Sequence, residues 1–380
     1  MGTGHELIFG PAADQLEPRA IPVRSASSSL TESPFDRDQV RVAFRTDAAS
    51  ESDHSALSIL ADAETRELES GLSLLECKRN QLAPLAEHNP TAAMLLAASD
   101  AACQPLARPK LMGILNVTPD SFSDGGEHND VESATARARA MALAGADIID
   151  VGGESTRPGS EPVDEAAELE RVLPVIESIR AAGVRALISI DTRKSNVAAR
   201  ALEAGANWVN DTSAGAYDSA MLSTVAGLDC PYVAMHMRGT PRDMQDAPRY
   251  EDPVHEILCW LRERAATCLE AGISPANLIV DPGIGFGKRP EDNVALVRRT
   301  TELRSLGLPI LGGVSRKAFL GQLTGIQAPD ARLGATAAAV ALCVAGGAEI
   351  LRVHDVELCA QVIAVSAAHN GLFPTALLQP

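Results

Sequence analysis

The sequence predicts an α/β fold, a (β/α)8 TIM barrel, behind a poorly structured, partly helical N-terminal extension. Three observations predict it: from Lys110 onward short apolar runs alternate with helix-length segments, the runs number eight, and nearly every run ends in a polar or charged residue. Strand and helix in strict alternation, with strands apolar throughout, means parallel strands buried on both faces, in either an open doubly wound sheet or a closed barrel. Eight units in about 270 residues match the barrel. An open sheet would gather its chemistry at one or two switch points.

The runs are LMGILNV from Leu111, DIIDV from Asp147, RALISID from Arg185, ANWVND from Ala206, PYVAMH from Pro231, NLIVDP from Asn277, PILGGV from Pro309 and EILRVH from Glu349. Between them, segments such as 131–144, 163–182 and 254–271 are long enough for crossover helices with polar outer faces. Gly145, Gly183, Gly205, Gly272, Gly307 and Gly347 each stand just before the next run, where a helix closes on a left-handed residue.

The barrel is assigned to residues 106–380 and the extension, without a function, to 1–105. Residues 1 to about 50 are rich in Ser, Ala, Pro, Asp and Arg and bury too little apolar surface to offset the entropy of ordering. From Ser55 to Leu75 the spacing of Leu57, Ile59, Leu60, Leu68, Leu72 and Leu75 predicts an amphipathic helix, with a second near Ala92 to Ala97.

The charge balance, 33 basic against 50 acidic residues and a net −17, disfavours broad contact with nucleic acid or an anionic membrane. An anionic ligand would have to be met by a few focused cations and helix N-termini. The seven cysteines form no C-x-x-C pair and read as reduced thiols, so neither a zinc site nor a disulfide framework is expected. With no signal-like start and no bilayer-length apolar segment, the expected location is the cytoplasm.

The C-terminal ends of the runs carry Asn116, Asp150, Asp191, Asn210, His236, Asp281, the Ser315-Arg316-Lys317 group, and Arg352 with His354. In a barrel these ends converge on the face that holds the active site. One Asp or Asn after a strand is more often a cap than a catalyst, but the set forms a hydrogen-bonding wall beside a cationic one. The pairing suits a polar heterocycle carrying a phosphorylated leaving group. The loops 116–126 and 152–160 are long and rich in glycine and hydroxyls, as expected of segments that close over a reaction. DPGIGFGK, from Asp281 to Lys288, is neither a dinucleotide fingerprint nor a Walker A loop. His255-Glu256 lacks the second His of a zinc-protease helix, and no G-x-S-x-G elbow occurs.

The strings ILNVTPDSFSDGG, IIDVGGESTRPG, ISIDTRK, WVNDTS, MHMRGTPRDMQ, DPGIGFGK, GVSRKAFLG and ILRVHDV, in this order, resemble the successive blocks of the dihydropteroate synthase family, over about Lys110 to Ala368. The resemblance implies condensation of (7,8-dihydropterin-6-yl)methyl diphosphate with 4-aminobenzoate to 7,8-dihydropteroate and pyrophosphate. It implies that Asp191, Asn210, Asp281 and Lys317 hydrogen-bond the pterin, with Met235 against its face. Asn116, Arg157, Arg352 and His354 would hold the pyrophosphate, Asn116 together with Mg2+. Thr156, Arg157, Pro158, Phe286 and Lys317 would surround 4-aminobenzoate. Asp191, Arg157 and Lys317 are the residues given catalytic roles, and a homodimer through outer helices is implied.

The chain departs from the family pattern at Ala318, where many members carry a Ser that meets the 4-aminobenzoate carboxylate, which bears on arylamine affinity and sulfonamide response. Thr212 stands where an aliphatic residue often packs on the pterin. Two other readings compete: a methyltetrahydrofolate–corrinoid methyltransferase-like barrel, which needs neither PDSFSDGG nor the Arg352/His354 pair, and a non-catalytic pterin-binding protein, in which the phosphate-binding groups would have decayed.

Overall fold

The structure, a computed structural model, describes residues 108–117, 127–155, 160, 162–240 and 242–372, together with short stretches between residues 19 and 100. All eight expected runs form strands: β1 (Lys110–Asn116), β2 (Ile148–Gly152), β3 (Leu187–Asp191), β4 (Trp208–Asp211), β5 (Tyr232–Met235), β6 (Leu278–Asp281), β7 (Leu311–Gly312) and β8 (Ile350–Val353). They pair in parallel in the order β6-β5-β4-β3-β2-β1-β8-β7, and a parallel bridge from Val280 to Ile310 brings the two ends of the sheet together.

Outside the strands run α1 (Glu127–Leu143), α2 (Glu165–Ala181), α3 (Ser195–Glu203), α4 (Met221–Leu228), α5 (Pro253–Glu270), α6 (Pro290–Arg298), α7 (Ala318–Thr324), α8 (Leu333–Ala345) and α9 (Val356–His369). Their ends follow local chemistry. The Asp164 carboxylate accepts the Ala167 N–H at 2.9 Å to start α2, and Asp252 accepts the N–H groups of Val254 and His255 to start α5, with Pro253 in the first turn. The six glycines expected to close helices all have positive φ, from 68° at Gly307 to 115° at Gly205.

Successive strand side chains point to opposite faces, so each strand feeds two cores. Ile149 and Val151 of β2 face the helices, in the large outer cluster with Val172, Val175 and Ile176 of α2. Ile148 faces inward and joins Met112, Trp208, Val233, Ile279, Leu311 and Ile350 in an apolar plug that fills the barrel interior. Two residues further along the same strands the inward positions become Ile114, Asp150, Asn210, Met235, Asp281 and Arg352. The plug is thus the floor on which a polar layer rests, at the end of the barrel where the βα loops leave.

In the extension, Arg19–Ala20, Gln39–Arg45, Leu72–Lys78 and Glu64–Leu68 make a four-stranded antiparallel sheet in that order, Val23–Arg24 pairs with Phe35–Asp36, and Arg79–Ala86 is helical. The amphipathic helix expected over 55–75 is therefore corrected from residue 64 onward: Glu64–Leu68 and Leu72–Lys78 are a hairpin pair, with Leu68 opposite Leu72. The connection ends in Gly71, a poor helix residue and a good turn residue, and Leu72–Lys78 finds backbone partners on both sides. Residues 55–63 lie outside the described residues. Near Ala92 to Ala97, residues 93 and 96–97 are helical.

Candidate active site

The polar layer is organised around one carboxylate. Asp150, fully buried on β2, accepts from Asn210 Nδ2 at 3.0 Å and from Arg352 Nε at 2.6 Å, both at Oδ2. Arg352 Nη2 donates to Asp191 Oδ2 at 2.5 Å, so one guanidinium bridges two acids from β2 and β3. Strand register adds the neighbours: Asn210 lies opposite Asp191, Met235 opposite Asp281, and Asn116 opposite Gly152. Gly152 keeps this corner open, since a Cβ there would lie 3.5 Å from Asp191 Cβ and 3.8 Å from Asn116 Oδ1.

Asp281 is fixed by the loop that follows it, its Oδ1 accepting the Gly283 N–H at 2.6 Å. Gly283, at φ 66°, lies so close to His236 O that a Cβ would sit 1.8 Å away. Lys288 clamps the loop from beneath: its Nζ lies 3.0 Å from His236 Nδ1 and donates to Gly283 O at 2.8 Å and Phe286 O at 2.9 Å. The clamp presents Phe286, and Lys317 Nζ lies 4.0 Å from the centre of its ring. Lys317 passes over Gly285, where a Cβ would come within 2.8 Å of its Cδ.

Burial decides the electrostatics. It pushes the Asp191 carboxyl up to about 7, against the pull of Arg352 and with Asp150, Glu168 and Asp211 adding to the rise. It raises Asp281 as well, although the Gly283 N–H and the cations of Lys317, Lys288 and Arg352 oppose it. It brings the Lys317 ammonium down to about 8, with Arg352 adding to the fall and Asp281 and Asp191 resisting it. For Arg352 burial works downward too, but Asp150 and Asp191 outweigh it and hold the guanidinium above its ordinary value. The wall is therefore poised between charge states, as reacting groups must be.

Asp191, Asn210, Met235, Asp281, Lys317, Phe286, Arg352, His354 and Asn116 all stand at strand ends or in the loops directly after them, on one face. His354 Nδ1 lies 3.0 Å from Ser315 Oγ, which also accepts the His354 backbone N–H. Thr156, Arg157 and Pro158 fall outside the described residues. Of the strand-end residues without an assigned role, Arg316 turns into an ion pair with Asp355, and its backbone φ is 58°. His236 is buried edge-on against Trp260, and burial, reinforced by Lys288, lowers its pKa well below the usual imidazole value. Thr212 is 4% exposed and its hydroxyl has no hydrogen-bond partner. Ala318 is exposed, at the start of α7.

Sequence reasoning missed a buried charge network under the 152–160 loop. Glu154 pairs with Arg193 and, at 2.5 Å, with Lys194, which also pairs with Glu168 of α2. Arg171 donates to Gly153 O at 2.8 Å, and Ser160 Oγ closes the neck of the loop onto Ser155 O at 2.5 Å. The opposite charges of GGESTRP and DTRK were a signal, but 40 residues of separation gave no reason to pair them.

A model of the family described as "Pterin binding enzyme" matches residues 112–354. A dihydropteroate synthase of Synechocystis is 44% identical over 261 residues, covering 69% of this chain and 90% of that protein. Among solved structures, the Xanthomonas albilineans dihydropteroate synthase with 4-aminobenzoic acid is 45% identical at a TM-score of 0.65 and covers 69% of this chain and 93% of that one. The same enzyme in complex with 7,8-dihydropteroate aligns at a TM-score of 0.62 with 42% identity, over 69% of this chain and 94% of that one. With the polar wall, the cation pair and the phenylalanine-bearing loop in one barrel mouth, these matches place the chain in the pterin-binding enzyme family, and within it among the dihydropteroate synthases, the transferases of folate biosynthesis.

Proposed function

We infer that this barrel mouth condenses (7,8-dihydropterin-6-yl)methyl diphosphate with 4-aminobenzoate, giving 7,8-dihydropteroate and pyrophosphate. The observation that carries the reading is the sharing of Arg352 between Asp150 and Asp191. It puts an anion-binding cation directly against the acid that faces a developing pterin cation.

The chemistry is substitution at the exocyclic methylene. The C–O bond to the diphosphate breaks with its electron pair leaving on pyrophosphate, the arylamine nitrogen forms the new C–N bond, and that nitrogen then loses a proton. Asp191, ionised, stabilises the positive charge that spreads into the dihydropterin. Asn210, Asp281 and Lys317 hydrogen-bond the heterocycle, acceptors meeting its N–H edge and the ammonium its acceptor atoms. Met235 closes on its face. Arg352 offers Nη1 donors to the leaving group while Nε and Nη2 stay on the acids. At His354, Ser315 Oγ accepts the backbone N–H and can give its own proton to Nδ1, which leaves the imidazole proton on Nε2 for the same anion. Lys317 and Phe286 form the 4-aminobenzoate side, to which the family resemblance also assigns Thr156, Arg157 and Pro158. No side-chain nucleophile is required.

Mg2+ keeps several waters and takes one or two protein oxygens together with substrate phosphates, so a single amide oxygen at the mouth suffices to hold it. The Asn116 amide oxygen, beside Asp191 at the Gly152 corner, would hold it. When bound, the ion would neutralise charge building on the leaving group.

The protein is further proposed to work as a homodimer in the cytoplasm. Support comes from Leu342 and Val365, exposed by 57% and 73% on the neighbouring outer helices α8 and α9. Among the described residues no helix is long and apolar enough to cross a membrane.

The deciding experiment is pyrophosphate release from the pterin diphosphate by the purified protein with magnesium, with and without 4-aminobenzoate. Release with dihydropteroate as product is expected. Tight pterin binding without release would favour the non-catalytic alternative.

A further inference from the structure

We propose that Asp150 is a positioning residue of this site: it orients the Asn210 amide so that its carbonyl oxygen faces the pterin, and it anchors Arg352 across the wall. The proposal rests on the pterin reading of Asn210 and assigns the work of specificity to a residue beneath the site that touches no substrate.

The geometry carries it. Asp150 points inward from β2, one step above Ile148 of the apolar plug, and has no solvent exposure. Its Oδ2 alone receives both Asn210 Nδ2 at 3.0 Å and Arg352 Nε at 2.6 Å, from strands two places away on either side. A primary amide can present either end to a partner, and an ionised carboxylate only accepts. Facing Asp150, Asn210 can offer only its NH2, so its Oδ1 is committed to the opposite side as an acceptor. A free-standing Asn would recognise donor and acceptor edges alike. This one recognises donors, as the N–H-rich edge of a pterin requires.

Asp150 Oδ1 has no hydrogen-bond partner among the described residues, so Oδ2 carries both of the contacts that join Asp150 to the wall.

The test compares Asp150→Leu, which removes both acceptors and keeps the branched shape, with Asp150→Asn, which keeps one acceptor oxygen and removes the charge. Asp150→Leu is expected to raise the Kd for the pterin diphosphate about tenfold or more, the loss of hydrogen bonds to a charged group, with little change in KM for 4-aminobenzoate. Asp150→Asn, which still offers one oxygen to Asn210 and Arg352, is expected to retain most of the pterin affinity. A merely structural role would change Tm and both substrates' KM together with no rescue by Asn, and that result overturns the proposal. Wild-type pterin affinity in Asp150→Leu also overturns it. Should the Leu variant not fold, Asp150→Asn still decides: a pterin Kd raised less than about tenfold with an unchanged KM for 4-aminobenzoate supports the proposal, and a common rise in both overturns it. Failure of the underlying reading would show instead in the wild-type protein, as no dihydropteroate formed.

Discussion

In the proposed reaction Asp191 is the residue on which the chemistry turns, and burial, which pushes its carboxyl up to about 7, makes the claim measurable. Protonated, the carboxyl cannot stabilise a cation, so kcat/KM should fall as pH drops through about 7 in the free enzyme, the sign expected of a group needed as its base form. Asp191→Asn should flatten that limb and lower kcat by roughly 100-fold or more, the usual scale for removing one preorganised charge, with a smaller effect on pyrophosphate affinity. Arg352→Ala should act the other way on binding, weakening pyrophosphate most. It also deletes the cation that does most to lower Asp191, Lys317 being the other neighbour, so the acid limb should move to higher pH. An unmoved limb would mean that Arg352 does not hold Asp191 in solution. At position 318 the prediction is a gain. Ala318→Ser places a hydroxyl at the exposed start of α7, and one added hydrogen bond, worth about 1 kcal/mol, should lower KM for 4-aminobenzoate about fivefold. An unchanged KM would show that the carboxylate does not reach this turn.

At the scale of elements, the network of Glu154, Glu168, Arg193 and Lys194 ties the base of the 152–160 loop to α2 and to the start of α3. Two acids and two bases neutralise one another, so the cluster is balanced only when complete. Lys194→Met should cost about 3–5 kcal/mol in urea denaturation, because it leaves two buried carboxylates facing a single Arg. A loss under ~1 kcal/mol would mean water reaches the cluster and the network is not the anchor. The βα loops owe their precision to such supports. The Asp281–Lys288 loop is held by a buried ammonium on backbone carbonyls, and Ser213 and Gly215 after β4 donate to the Asp211 carboxylate, which Tyr232 also reaches.

For the molecule as a whole, the outer helices α8 and α9 present Leu342 and Val365 to solvent, and Leu333 at the start of α8 is exposed as well. If they meet a second copy, the double substitution Leu342→Asp/Val365→Asp should shift the protein from dimer to monomer in sedimentation equilibrium, with the barrel still folded. A wild-type protein that sediments as a monomer at micromolar concentration would refute the dimer. The extension adds a small antiparallel sheet outside residues 112–354, which match the pterin-binding enzyme family.

What the sequence by itself determined was whatever depends on neighbours along the chain. Period and punctuation placed all eight strands, because a buried strand must be apolar and a helix must close on a residue that tolerates positive φ, as Gly145 and Gly205 do. The strand-end residues Asp191, Asn210, Asp281, Lys317 and Arg352 were legible for the same reason, since parallel strands deliver all their C-terminal ends to one face. The hairpin at 64–78 was not legible. Leu68, Leu72 and Leu75 satisfy a helical period, and only pairing with Gln39–Arg45 makes the strand the better satisfied state. Strand-end position alone, without the family resemblance, did not separate Arg352, which bridges two acids of the wall, from Arg316, which turns away to Asp355. It also left Asp150 an unassigned strand residue. Its partners Asn210 and Arg352 stand 60 and 202 positions away, and only closure of the barrel brings a carboxylate, an amide and a guanidinium to one buried point, where none can be left unpaired cheaply.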